Sequence, residues 1–109
     1  VGLFAMWAAW AMGAGRVIAV DHVAYRLEFA KRWAKVETLN FKEVDLVTAV
    51  KDMTDDRGAD CTVEAVGLEA AGSGLHRVAG IYGKLEAGSP AALNLAIHAT
   101  RKGGVISVM

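Results

Sequence analysis

Gly13-Ala14-Gly15-Arg16-Val17-Ile18-Ala19-Val20-Asp21 is the stretch on which the fold turns. Its two glycines are able to close a helix. The β-branched, continuously apolar run after Arg16 has the pattern of a strand covered on both faces, and an acid, Asp21, ends it. Strands buried on both faces belong to parallel sheets, whose connections are crossover helices.

Helices are therefore expected on either side. Upstream, Leu3 to Met12 reads as a helix buried on most sides, with Trp7 and Trp10 three apart on one face. The apolar opening from Val1 to Ala14 is shorter than the roughly 20 residues that span a bilayer, and it lacks the basic region of a signal peptide. Downstream, Tyr25, Phe29 and Trp33 recur every fourth residue beside Ala30, so Tyr25 to Ala34 reads as an amphipathic helix. Val36 to Phe41 reads as a short strand. Leu46, Ala49, Val50 and Met53 then follow the i, i+3, i+4, i+7 template of a helix that stops near Asp55-Asp56-Arg57-Gly58.

The second half repeats the alternation. Cys61 to Val66 reads as another buried strand, with Cys61 a small core residue. Glu69 to Gly88 is rich in glycine and reads as a connection with one short helix at most. Ser89-Pro90 mark a helix start, Ser as N-cap and Pro at the first helical position. Leu93, Ala96, Ile97 and Thr100 form that helix's inner face, Arg101 and Lys102 suit its negative end, and Gly103-Gly104 close it before the strand Val105 to Met109. The sum is an α/β parallel sheet with helices on both faces.

Composition narrows the function. Twelve basic residues against 12 acidic ones, with no basic run, argue against a nucleic-acid or membrane-surface binder. A single cysteine makes no internal disulfide and fits a reducing, cytoplasmic setting. His76 and His98 lack metal-ligand spacing, and no Ser/His/Asp grouping stands out. Gly2 stands where the last glycine of a phosphate-binding turn would stand, and Asp21 closes the next strand 19 residues after it. This is the spacing of a dinucleotide fingerprint, whose acid takes the adenosine ribose hydroxyls. Taken alone, Gly2 also reads as a simple helix-start glycine and Asp21 as a solvated turn residue.

Val1-Gly2-Leu3-Phe4-Ala5, the stretch from Gly13 to Asp21, Arg26-Leu27-Glu28, Gly58-Ala59-Asp60, Glu64-Ala65-Val66-Gly67 and Arg101-Lys102-Gly103-Gly104 occur in that order. Together they resemble the coenzyme domain of zinc-dependent medium-chain alcohol dehydrogenases, over nearly the whole chain. Within that superfamily the glutathione-independent formaldehyde dehydrogenase-like enzymes are most similar, with a Leu-Glu and a Ser-Pro or similar pair ahead of the last helix.

The resemblance implies an incomplete Rossmann-type doubly wound sheet, residues 1–109 forming a partial NAD-binding domain that lacks its first strand and the catalytic zinc domain. In the family order 3-2-1-4-5-6 the absent strand lies between the two halves present, so either those halves pair directly or two inner edges stay unpaired. The implied cofactor contacts are Val1 and Gly2 at the pyrophosphate, Asp21 and Arg26 at the adenosine ribose, Ala65, Val66 and Gly67 along both riboses, and Met109 near the nicotinamide. Arg26 also reads as an ordinary helix-surface arginine, and His22 as a solvated loop residue that would soften the preference for NAD over NADP if protonated. No catalytic residue and no metal ligand is expected in this chain; zinc and a small alcohol or aldehyde substrate belong to the parent, whose dimers would pair through a strand after Met109. The rival reading is a stand-alone nucleotide-binding or interaction module without catalysis.

Overall fold

Strand and helix alternate as the periodicities require. The computed structural model describes residues 1–66 and 85–109, in the order α1 (Gly2–Ala11), β1 (Ile18–Asp21), α2 (Ala24–Ala34), β2 (Glu37–Asn40), α3 (Leu46–Met53), β3 (Ala59–Glu64), α4 (Leu85–Ala99) and β4 (Thr100–Val108). Both pairings are parallel: Ile18 to Asp21 lie against Glu37 to Asn40, and β3 lies against β4. The described strands thus form two two-stranded sheets, β1-β2 and β3-β4. The chain divides into two compact units, Val1–Ala49 and Val50–Met109.

In the first unit the core is made of small residues. Ala19, Ala30, Ala34 and Val36 are buried together, with Leu3, Met6, Trp10 and Val17 packed on them. Trp10 fixes α1 to α2 by donating its indole N–H to the Ala34 carbonyl at 2.7 Å, a group the end of α2 would otherwise leave without a helical partner. Both partners lie near the C-terminal ends of their helices.

Three expectations for this unit need correction. α1 is not buried on most sides: none of its residues is buried, and Phe4 and Met12 are 75% and 86% exposed. Among the described residues it packs against α2 and the small core, and a helix apolar all round carries no signal of which face that will be. Tyr25, Phe29 and Trp33 are exposed, while Ala30 and Ala34 take the inner face of α2. The rings instead pack on one another, Trp33 meeting Trp7 edge-on at 5.7 Å and Phe29 at 5.9 Å. β1 covers Ala19 but leaves Val20 exposed, because a two-stranded sheet with helices on one side cannot hide both faces.

In the second unit α3 ends as expected, with Asp55 and Asp56 at positive φ after Met53. Thr54 locks the exit, its hydroxyl donating to the Val50 carbonyl at 2.8 Å and accepting from the Gly58 N–H at 2.9 Å. β3 is less buried than its sequence suggests, and Cys61 is exposed rather than in the core; among the described residues the strand pairs on one edge, with β4. α4 begins at Leu85, so Ser89 and Pro90 lie inside it rather than at its start. Leu85-Glu86-Ala87 are strong helix formers and carry the helix past the Ser-Pro pair.

β4 begins at Thr100, five residues before Val105, so Arg101, Lys102, Gly103 and Gly104 belong to the strand and not to a helix end. A register shift between Ala59 and Cys61 absorbs the extra length. Gly104 sits in the tightest part of it: a Cβ there would come within 2.8 Å of the Asp60 carbonyl and 2.6 Å of the Thr100 methyl. Ala96 and Ala99 are the buried residues of α4's described face, and Ile97 is exposed. The Thr100 hydroxyl joins the elements, 2.7 Å from the Thr62 hydroxyl and donating to the Ala96 carbonyl at 2.6 Å. The Glu69 to Gly88 connection, with His76, lies outside the described residues except for the start of α4.

Asp60 reports the pairing of β3 with β4. Its carboxylate accepts from Arg101 Nε at 2.7 Å, with Arg57 Nη1 at 3.9 Å. The hydrogen bond from Arg101, then the charges of Arg101 and Arg57, hold it below the usual carboxylate range. A group whose folded value is depressed stabilises the fold above its unfolded value and loses that contribution as pH falls through the folded one. Asp60→Asn is therefore expected to melt lower than the native chain at pH 7, with the difference shrinking as pH falls through the carboxylate range. Thermal melts at pH 7, 4 and 2 check this, and a constant difference would contradict it.

Candidate functional site

Open α/β sheets bind ligands beyond the carboxyl ends of their strands, and each unit carries candidate residues there. In the first, Asp21 is the last residue of β1 and its carboxylate is anchored from below. Oδ1 accepts the backbone N–H of His22 at 2.6 Å and of Val23 at 3.0 Å, holding the acid at the entry to α2. Arg26 Nη1 stands 3.5 Å from Oδ2, its side chain 61% exposed against 27% for Asp21. A hydrogen bond with Tyr25, then the Asp21 charge, raise Arg26 further above its already high value, so it is a permanent cation.

This donor set fits a ribose. An ionised carboxylate has about four acceptor positions, and two backbone N–H groups engage one oxygen, leaving capacity for hydroxyl donors. Val1 is the N-cap of α1 and Gly2 its first residue. Open space surrounds Gly2, with nothing within 4 Å of an added Cβ. The close helix-to-strand approach implied for this glycine is not formed within the described residues.

In the second unit Ala65 and Val66 leave the end of β3, and Met109 follows β4. The Met109 N–H donates to the Glu64 carbonyl at 2.9 Å, so these residues share one carboxyl edge. Val66 and Met109 are exposed. Gly67 lies outside the described residues. Glu64, only 6% exposed, is a buried carboxylate beside them. Sequence reading assigned it no role of its own, and an acid ending an apolar strand was the signal for it. His22, expected as a solvated loop residue, packs its ring edge-on against Phe41 at 5.2 Å, with its Nδ1 3.7 Å from Asp21 Oδ1.

A cavity of about 550 Å³ lies elsewhere, lined by Lys51, Asp56, Arg57, His98, Arg101 and Lys102 among others. It sits at the amino ends of β3 and β4, where α3 and α4 finish, away from the ligand-binding edge of the sheet. Cations there offset the negative ends of two helices.

The family model described as zinc-binding dehydrogenase matches residues 1–85. The chain belongs to this family. Its relatives place it within the zinc-dependent medium-chain alcohol dehydrogenases. It is 45% identical over 109 residues to the uncharacterized zinc-type alcohol dehydrogenase-like protein AdhB of Bacillus subtilis, matching 99% of this chain and 28% of that protein. It is 34% identical to the sorbitol dehydrogenase of the same organism, over 100% of this chain and 25% of the relative. Among solved structures, the alcohol dehydrogenase TADH from Thermus sp. ATN1 superposes with a TM-score of 0.76 at 29% identity, over 100% of this chain and 25% of that one. The benzyl alcohol dehydrogenase from Acinetobacter calcoaceticus gives 0.73 at 32% identity, over 99% and 24%.

The chain thus spans about a quarter of the length of these zinc-type dehydrogenases. Among the described residues no group of three or more His, Cys, Asp or Glu side chains could hold a metal. No described helix is long and apolar enough to cross a membrane.

Proposed function

We propose that this segment supplies cofactor binding to a zinc-type alcohol or aldehyde oxidoreductase, and that the cofactor is NAD. The observation that carries the reading is Asp21: an anchored carboxylate with acceptor capacity to spare, at the carboxyl end of a parallel strand. Ribose hydroxyls would donate to it, and its charge would repel the 2′-phosphate of NADP. Val1 and Gly2 at the α1 N-terminus would face the pyrophosphate; Ala65, Val66, Gly67 and Met109 would line the path toward the nicotinamide. A dinucleotide held there would supply a nicotinamide ring able to take up hydride.

Zinc does not fit the donors described in these 109 residues, so no chemical step is assigned to them. The alcohol or aldehyde substrate, the metal and any dimer contact belong to the longer protein, which we place in the cytoplasm. The formaldehyde dehydrogenase-like subgroup stands on the Ser89-Pro90 and Arg101-Lys102-Gly103-Gly104 pattern.

Calorimetric titration of the chain is expected to give saturable NAD binding, with NADP weaker at pH 8 and no alcohol oxidation after zinc is added. Absence of NAD binding would overturn the cofactor assignment. Zinc-dependent NADH production would overturn the placing of the chemistry outside this segment.

A further inference from the structure

We propose that the cavity at the amino ends of β3 and β4 binds a small phosphate-class anion, at a site that does not depend on the cofactor reading. Its volume, about 550 Å³, falls in the range of small-molecule pockets, roughly 300–1,000 Å³. Lys51, Arg57, Arg101 and Lys102 line it, together with one acid, Asp56, and the apolar Ile97. All of them lie in the second unit, so the site takes nothing from the first. β3 runs six residues from this end to Glu64, roughly 20 Å of strand. That length separates the cavity from Ala65, Val66 and Met109.

Charge balance selects the ligand. The C-terminal ends of α3 and α4 finish here, each worth about half a negative charge, and Asp60, which accepts from Arg101 Nε at 2.7 Å, brings one more. With Asp56 these do not use up the four cations, and about one positive charge is left over. Its location matters as much as its size. Arg101 is engaged by Asp60, and Arg57 Nη1 stands 3.9 Å from the same oxygen. Lys51 and Lys102 have no ion-pair partner among the described residues. Lys51 comes from the last turn of α3 and Lys102 from the start of β4, so uncompensated ammonium groups reach the cavity from two elements. A phosphate ester carries roughly −1.5 to −2 charges near neutrality and three strong acceptor oxygens, enough to engage several N–H donors at once. A carboxylate has half the charge and one oxygen fewer. Ile97, 49% exposed, offers apolar surface to the carbon part of an ester.

Nitrogen-15 amide spectra of the full 109-residue chain, titrated with glycerol 3-phosphate at pH 8 and constant ionic strength, test the site. Saturable shifts are expected at Lys51, Arg57, Arg101 and Lys102. One charge about 4 Å from a phosphate in a watery site changes affinity by about fivefold, so Lys51→Gln is expected to bind about fivefold more weakly. Asp56→Asn is expected to bind about fivefold more tightly. Asp56 sits at φ 66°, a left-handed position that asparagine also adopts, so the charge is lost while the turn is kept. Circular dichroism checks the fold of both variants. A parallel titration with inorganic phosphate separates two sources of the same chemistry: weaker binding than the ester assigns an organic phosphate, and equal binding assigns the phosphate group alone. Non-saturating shifts spread over all exposed lysines and arginines, or affinities unchanged in both folded variants, would overturn the proposal. Either result would leave NAD binding at Asp21 standing.

Discussion

Gly58→Ala is expected to unfold the pairing of β3 with β4. Gly58 has φ 101°, and a Cβ built on it falls 2.9 Å from the Ala99 carbonyl oxygen and 2.9 Å from the Arg101 nitrogen. Both are main-chain atoms at the junction of α4 and β4, so no rotamer change relieves the contact. The left-handed backbone costs about 1–2 kcal/mol for a residue with a Cβ, and forced overpacking adds typically 1–3 kcal/mol. Small domains hold only about 5–15 kcal/mol in total. The Gly58 N–H, which caps Thr54 Oγ1, would also be pulled from its partner. Hydrogen exchange of the Cys61 to Glu64 amides measures the effect, and protection is expected to fall about a hundredfold or more. Native protection in Gly58→Ala would show that β4 can shift to make room.

Asp21→Ala is expected to weaken NAD binding by about tenfold to a hundredfold. Hydrogen bonds to a charged acceptor contribute about 1.5–3 kcal/mol each, and the ribose would lose up to two of them. The substitution also removes the acceptor of the His22 and Val23 N–H groups, so part of any loss could come from the loosened start of α2. Asp21→Asn separates the two effects. It keeps an oxygen for the backbone while removing the charge, and is expected to weaken NAD less than alanine does. NADP is expected to lose less than NAD in both variants, since Arg26 is released from its acid. Unchanged NAD affinity in both variants would remove Asp21 from the site.

Element type was readable because each segment carries a period. Val17 to Val20 and the Leu46 to Met53 template landed within a residue or two of β1 and α3. Burial was not readable in the same way. α1 is apolar on every face, so its sequence could not distinguish a helix covered all round from one covered by α2 alone. Tyr25, Phe29 and Trp33 have the right spacing for a core stripe, but the space between α2 and its sheet is filled by Ala30 and Ala34, the latter 1% exposed. Close helix-to-sheet packing selects small residues, and Trp33 is left to pack with Trp7 and Phe29.

The error at β4 has the opposite origin. Arg101-Lys102-Gly103-Gly104 has the composition of a helix terminus, and only the structure reveals that the glycines accommodate a register shift against Asp60. The places of Gly2 at the start of α1 and Asp21 at the end of β1 were legible because their signal is one of position. An acid ending a strand, at a fixed distance from a helix-start glycine, survives errors in burial. What the sequence could not convey is that His22 is held beside that acid, because a ring contact with Phe41, 19 residues on, depends on the parallel pairing of β1 with β2.

The central claim is that a dinucleotide's adenosine end binds at the carboxyl end of β1. A nitrogen-15 amide spectrum of the chain, titrated with NAD, tests it most directly. The account predicts saturable shifts at Gly2 to Ala5, at Asp21 to Val23 and at Arg26. Shifts confined to Lys51, Arg57 and Arg101 around the opposite cavity, with Asp21 to Val23 unmoved, would contradict it.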